Sequence, residues 1–147
     1  MRSKRKSFCV VCIANYCRSP VFENILRDKY KDTYEFFSCG LSPIFEPSMD
    51  KRSIAFLESL NVKSKLHTPK RINKRILNYF DFFIAVDFYV LNELNKLFPK
   101  YKNKFKLASS QFEGKDIIDP FRLDDEQYEK VMRDIQFISN KINLENL

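Results

Sequence analysis

Residues 12–19 read Cys-Ile-Ala-Asn-Tyr-Cys-Arg-Ser, a cysteine and an arginine separated by five residues with a serine directly after. That spacing suits anion chemistry. A loop of this length can turn successive backbone N–H groups inward, and a helix starting at its end adds about half a positive charge at the same point. The field favours the thiolate of Cys12, the nucleophilic form of the side chain. Arg18 carries a planar fork that matches two phosphate oxygens, and the Ser19 hydroxyl can donate to the sulfur, or to it as leaving thiolate. A cysteine and an arginine at this spacing also arise by chance, because cysteine is a common buried residue. The weight of the pattern therefore rests on its surroundings.

Those surroundings are a strand and a helix. Residues 8–11, Phe-Cys-Val-Val, form a short apolar run, and Ser19-Pro20 is a helix start, a hydroxyl cap followed by proline at the first helical position. Val21, Ile25, Leu26 and Tyr30 stripe one face of a helix to about residue 31, whose N-terminus is aimed back at the loop. Further along, residues 35–39 read as a strand ending at Gly40, residues 42–48 as a loop with Pro43 and Pro47, and Asp50 opens a helix through Ile54, Leu57 and Leu60. Residues 61–73 are basic and irregular and carry the only histidine, His67. Residues 82–86 have the composition of a strand buried on both faces, residues 88–98 of a helix stopped before Pro99, and residues 105–107 of a short strand. After a loop at 114–122, residues 124–143 form a long helix with Tyr128, Val131, Ile135, Ile138 and Ile142 inward. The alternation predicts an α/β fold, a three-layer α/β/α arrangement with a central four-stranded parallel sheet and right-handed crossovers. Ligands in such sheets bind beyond the carboxyl ends of the strands, where Cys12 falls.

The chain of 147 residues fits a single domain over residues 1–147, with residues 1–6 as a basic, flexible leader. A 15% aromatic content excludes a disordered chain. The net charge of +7 is uneven: from Asp116 onward eight acidic residues face four basic ones, a net of −4, so residues 1–115 carry +11. An anionic partner is implied. The basic runs lack the aromatic interleaving of RNA-binding segments, so no specific nucleic acid is expected. No segment is long and apolar enough to span a membrane. The basic start followed by an apolar run imitates a signal peptide, yet Asn15, Cys17 and Arg18 stand where a cleavage site needs small residues. All four cysteines, Cys9, Cys12, Cys17 and Cys39, lie in the first third with no extracellular signal, which predicts a cytoplasmic protein with reduced thiols. Neither a metal nor another cofactor is expected: Cys9 and Cys12 spell C-x-x-C, but on a strand they point to opposite faces. Cys12 and Cys17, both in the loop, are better placed for a reversible disulfide that shields the nucleophile from oxidation.

Residues 10–20, Val-Val-Cys-Ile-Ala-Asn-Tyr-Cys-Arg-Ser-Pro, resemble the V-C-x-G-N-x-C-R-S-P signature of low-molecular-weight protein tyrosine phosphatases. Phe37-Ser38-Cys39-Gly40 is similar to that family's second strand, the stretch around His67 to the segment before its third helix, and Asp119-Pro120-Phe121 to its acid-bearing D-P-Y loop. The resemblance covers nearly the whole chain. It implies a phosphatase loop between the first strand and first helix, with Ile13, Ala14, Asn15, Tyr16, Cys17, Arg18 and Ser19 as the phosphate cradle. It further implies Cys12 as nucleophile, Arg18 as phosphate ligand and Asp119 as general acid and then base. Ser19, Ser38 and His67 match the groups that fix the strained Asn15, and Ile44, Phe45, Phe121 and Arg122 are candidates for the substrate rim. The implied substrates are phosphotyrosine-containing proteins, hydrolysed through a phosphocysteine by a monomer or weak dimer without cofactors.

The chain departs from the pattern in three places. Ala14 stands where the family has glycine, which costs about 1 kcal/mol or more if the position needs positive φ. Tyr16 replaces a small aliphatic residue, and Phe121-Arg122 replaces two tyrosines, leaving one ring to stack on a phenol and a cation at the entrance. An arsenate reductase of the same fold is an alternative, although the chain has no cysteine after Cys39 to resolve an arsenic adduct. A phosphate- or nucleic-acid-binding module of weak catalytic power, using the basic body, is another.

Overall fold

Ser7–Cys12 forms β1, and every residue of it is buried, so the strand must be covered on both faces and flanked on both edges. In the computed structural model, which describes residues 4–113 and 115–147, it is. The sheet order is β2-β1-β3-β4, with β2 at Glu35–Gly40, β3 at Phe82–Ala85 and β4 at Phe105–Leu107, and each neighbouring pair is parallel. Register sets Cys12 opposite Gly40 on one side and Val11 opposite Ala85 on the other. Phe8 fixes the lower end of the sheet, its ring stacked between Phe36 and Phe82 at 5.7 and 5.8 Å.

From β1 the chain steps one way to β2, crosses back past β1 to β3, then continues outward to β4. Right-handed crossovers therefore put α1 (Ser19–Tyr30) and α4 (Phe88–Leu97) on opposite faces, the three layers that the alternation predicts. The loops after β1 and β3 diverge, and the crevice between them is the switch point of the sheet. Cys12 stands at its mouth. On one face α1 packs with α2 (Lys51–Ser59) and α5 (Asp125–Lys141), while α4 covers β3 and β4.

One α-helix has no counterpart in the sequence reading. α3 (Lys74–Tyr79) is six residues long, capped by the Asn73 side chain accepting from the N–H of Ile76 at 2.9 Å, and buries only Leu77. So short a turn with one buried residue leaves no periodic trace. Residues 1–3 of the leader lie outside the described residues. Arg5 donates to the carbonyl of Asp32 (3.2 Å), Lys6 pairs with Glu145 (3.5 Å), and Lys4 lies 4.0 Å over the Tyr79 ring. Among the described residues no helix is long and apolar enough to cross a membrane.

Candidate active site

The loop from Cys12 to Arg18 is held entirely from outside. Its carbonyls accept, in order, from the N–H of Leu41 (3.1 Å), Ser42 (2.8 Å) and Ile44 (3.3 Å), from His67 Nε2 (2.8 Å), from the N–H of Asp50 (3.0 Å), from Ser53 Oγ (2.9 Å) and from the N–H of Phe22 (3.1 Å). With every carbonyl drawn outward, the amides are left facing inward. This is the geometry of an anion nest, capped by the N-terminus of α1. The N–H of Asn15 is directed at Cys12 Sγ at 3.1 Å.

A buried chain of polar groups sets the orientation of the nucleophile. Glu23, on α1, accepts the proton of Ser38 Oγ in a short contact, and the oxygen of Ser38 accepts from Asn15 Nδ2 at 3.0 Å. The other Nδ2 proton goes to Ser19 Oγ at 2.8 Å, and the N–H of Lys70 fixes the amide by donating to Asn15 Oδ1 at 3.0 Å. Since Ser19 Oγ accepts from Asn15, its own proton is free for Cys12 Sγ, 2.9 Å away. The sulfur thus receives two donors. The sequence reading gives Ser19 both a helix-capping and a sulfur-donating role; the N-cap is Arg18 with no side-chain cap, and the Ser19 hydroxyl lies against the sulfur as expected.

Asn15 has φ 54°, in the left-handed region, while Ala14 does not. The strain therefore falls on asparagine, which tolerates it, and the missing glycine at 14 costs nothing in backbone conformation. The close approach is met elsewhere: a Cβ on Gly40 would lie 2.7 Å from the carbonyl oxygen of Ile13 and 2.9 Å from the nitrogen of Asn15. His67 is buried, and burial lowers its proton affinity below the usual value, which keeps it neutral with Nε2–H donating to the Asn15 carbonyl.

Arg18 is 2% exposed, and its Nη1 donates to Asp87 Oδ2 at 2.6 Å and to the carbonyl of Ile117 at 2.7 Å. Both contacts use one nitrogen, leaving the opposite edge of the fork for a ligand. Asp87 also caps α4 through Oδ1 and the N–H of Val90 at 2.8 Å. Cys12, Ala14, Cys17, Arg18, Ile44, Asp119 and Phe121 line one cavity of about 110 Å³. Asp119 is exposed, with Oδ1 accepting from the N–H of Phe121 at 3.1 Å. The Phe121 ring, which lines the cavity, meets Tyr16 edge-on at 6.0 Å from behind, and Tyr16 itself is outside the lining. Phe45 is fully exposed and Arg122 is exposed, and neither lines the cavity. Burial, with Asp50 adding to it, pushes the Cys17 thiol up to about 12. All four cysteines are free thiols. Among the described residues no group of three or more His, Cys, Asp or Glu could hold a metal ion.

Three contributors go unassigned in the sequence reading. Asp87 follows an apolar strand and precedes a helix, a capping signal whose second job needs the fold. Glu23 lies one turn into the helix that begins at Ser19 and anchors the polar chain. Arg52, on α2, reaches the carbonyls of Phe121 and Leu123 at 3.1 and 2.8 Å.

A parallel sheet that ends its first strand in a thiol, rings that thiol with inward amides and seats an arginine and a carboxylic acid at the same cavity belongs to the cysteine-dependent phosphatase class. Residues 7–145 match the low molecular weight phosphotyrosine protein phosphatase family, and the chain belongs to that family. It is 29% identical over 120 residues to the low molecular weight protein-tyrosine-phosphatase Ptp of Acinetobacter johnsonii, covering 81% of this chain and 82% of that one. It is 25% identical over 122 residues to Wzb of Escherichia coli K12, covering 83% and 82%. In fold it is similar to Vibrio vulnificus Wzb in complex with benzylphosphonate, with a TM-score of 0.85, 21% identity and coverage of 92% and 95%. The YwlE arginine phosphatase from Geobacillus stearothermophilus superposes with a TM-score of 0.83, 22% identity and coverage of 92% and 88%.

Proposed function

We propose that this protein hydrolyses phosphotyrosine in protein substrates through a phosphocysteine on Cys12, with Arg18 binding the phosphate and Asp119 as general acid and base. The observation that carries the reading is the single cavity shared by Cys12, Arg18 and Asp119. In the first step the Cys12 sulfur forms a bond to phosphorus as the bond from phosphorus to the phenol oxygen breaks. Asp119, protonated, gives its proton to that oxygen, because phenoxide leaves poorly without it. In the second step water attacks phosphorus, the sulfur–phosphorus bond breaks, and the Asp119 carboxylate takes the proton of the water. Ser19 donates to the departing thiolate, and the inward amides carry the phosphoryl charge throughout.

Phe121, backed edge-on by Tyr16, supplies a flat apolar wall suited to a phenol ring, which favours an aryl phosphate over phosphoarginine. The basic body suits acidic flanking sequence on the substrate, and the thiolate nucleophile suits a reducing cytoplasm. The enzyme acts as a monomer or weak dimer and needs no cofactor. Hydrolysis of an aryl phosphate by the wild type, Cys12→Ser and Asp119→Ala tests it, with phosphoarginine as a control substrate. Cys12→Ser is expected to lose at least about a thousandfold in kcat. Asp119→Ala is expected to lose roughly a hundredfold or more on a basic phenol and far less on an acidic one. Wild-type inactivity toward aryl phosphates, or full activity in Cys12→Ser, would overturn the reading.

A further inference from the structure

We infer that Arg52 is a positioning residue for the general acid, holding the loop that carries Asp119 in register with the phosphate loop. The inference rests on the phosphatase reading above. The Asp119 side chain has little to fix it, since it is exposed and, among the described residues, accepts only from Phe121, two residues away in the same loop. The tie between Leu123 and Pro120, 3.0 Å, is also internal. Buried Ile117 and Pro120 and the contact of Phe121 with Tyr16 give the segment apolar packing, but among the described residues the hydrogen bonds that tie residues 117–123 to the body come from arginines at its two ends. Arg18 takes the carbonyl of Ile117 at 2.7 Å, and Arg52 takes the carbonyls of Phe121 and Leu123 at 3.1 and 2.8 Å. Asp119 sits between them.

The same Arg52 guanidinium is locked on its other sides. Its Nε and Nη2 each lie 3.2 Å from the carboxylate oxygens of Asp50, and its plane lies 3.9 Å over the Tyr128 ring. Asp50 is in turn part of the phosphate loop's outer support: its N–H donates to the carbonyl of Tyr16 at 3.0 Å, and its carboxylate faces Cys17 Sγ at 3.9 Å. One side chain therefore links the two loops whose separation decides whether a proton can pass. Proton transfer demands hydrogen-bond reach between acid and leaving oxygen, and a displacement of about 1 Å costs on the order of a hundredfold. Lysine cannot substitute fully, because a point charge on a flexible stem cannot serve two carbonyls, a carboxylate and a ring face together.

The test is kcat/KM for two aryl phosphates, phenyl phosphate with a basic leaving group and 2,4-dinitrophenyl phosphate with an acidic one, in the wild type, Arg52→Ala, Arg52→Lys, Asp119→Ala and the Arg52→Ala/Asp119→Ala double variant. Arg52→Ala is expected to lose about tenfold on phenyl phosphate and less than about twofold on the dinitrophenyl ester, because only the former needs the acid. Arg52→Lys, which keeps the charge beside Asp50, is expected to fall between, and it carries the test if the alanine variant fails to fold. In the Asp119→Ala background, Arg52→Ala is expected to change nothing further. Equal losses on both esters, or losses that multiply in the double variant, would overturn the positioning role while leaving the phosphatase reading intact. Wild-type inactivity toward both esters would overturn that reading and this inference with it.

Discussion

Asn15 shows how much one side chain can be asked to do. Its backbone takes the left-handed turn, its carbonyl binds His67, its Nδ2 serves Ser19 and Ser38, and its Oδ1 receives the N–H of Lys70. Asparagine alone combines tolerance of φ 54° with an amide that both donates twice and accepts. These demands can be separated by two substitutions. Asn15→Gly keeps the turn and loses the polar chain, so the Ser19 proton is no longer steered to Cys12. Asn15→Ala loses the chain and adds backbone strain of about 1 kcal/mol. Both are expected to lower kcat, with the alanine variant less stable than the glycine variant by about that amount in urea unfolding. Equal stability of the two would mean that the loop does not hold residue 15 in the left-handed region.

At the scale of elements, the phosphate loop is shaped by what lies beneath it. β2 ends at Gly40, opposite Cys12, and the missing side chain lets residues 13–15 pass directly over it. In Gly40→Ala the new methyl would meet backbone at 2.7 and 2.9 Å, atoms that cannot swing aside like a side chain. The variant is expected to cost 1–3 kcal/mol, as overpacking does, and to weaken competitive inhibition by inorganic phosphate about tenfold or more, since the nest must lift. Near-normal phosphate inhibition would show that the cradle tolerates the shift. The sequence marks Gly40 as a strand end within a segment that resembles the family's second strand, but not as the floor of the loop, and the same limit explains what else could and could not be read. The first strand, the loop and the first helix are contiguous, so residue type, spacing and helix start pointed to one place. Asp87 and Arg52 act on partners 69 and 71 residues away, Arg18 and Leu123, and no local pattern encodes such pairings. α3 left no periodic signal because six residues with one buried side chain make none. Ile44 and Phe45 are neighbours in a loop, and only the fold could turn the first toward the cavity and the second into solvent.

For the molecule as a whole, a single histidine makes its pH response unusually easy to assign. His67 is the only one in the chain, and burial lowers its proton affinity below the ordinary value of 6.5. The folded protein therefore prefers it neutral, while the unfolded chain takes up a proton as pH falls through 6.5. Above that pH the group contributes no pH dependence. Below it the unfolded state binds more protons, so stability falls as pH falls, until the folded-state value is passed and the slope from this group ends. Protonation does not remove the Nε2 donor to the Asn15 carbonyl, so the loss comes from burying a charge rather than from breaking that bond. Carboxylates whose proton affinity is lowered in the fold act in a different window: Glu145, held by Tyr34 and Lys6, releases its contribution only as pH falls below about 4.5. The two windows separate the causes. Urea unfolding between pH 8 and 5 is expected to show the wild type losing stability below about 6.5, with a slope of at most one proton, while His67→Gln, which keeps a donor but cannot titrate, stays flat across the same range. A slope that persists in His67→Gln would assign the loss to other groups and would leave the buried histidine as a neutral strut for the phosphate loop with no part in the acid sensitivity of the fold.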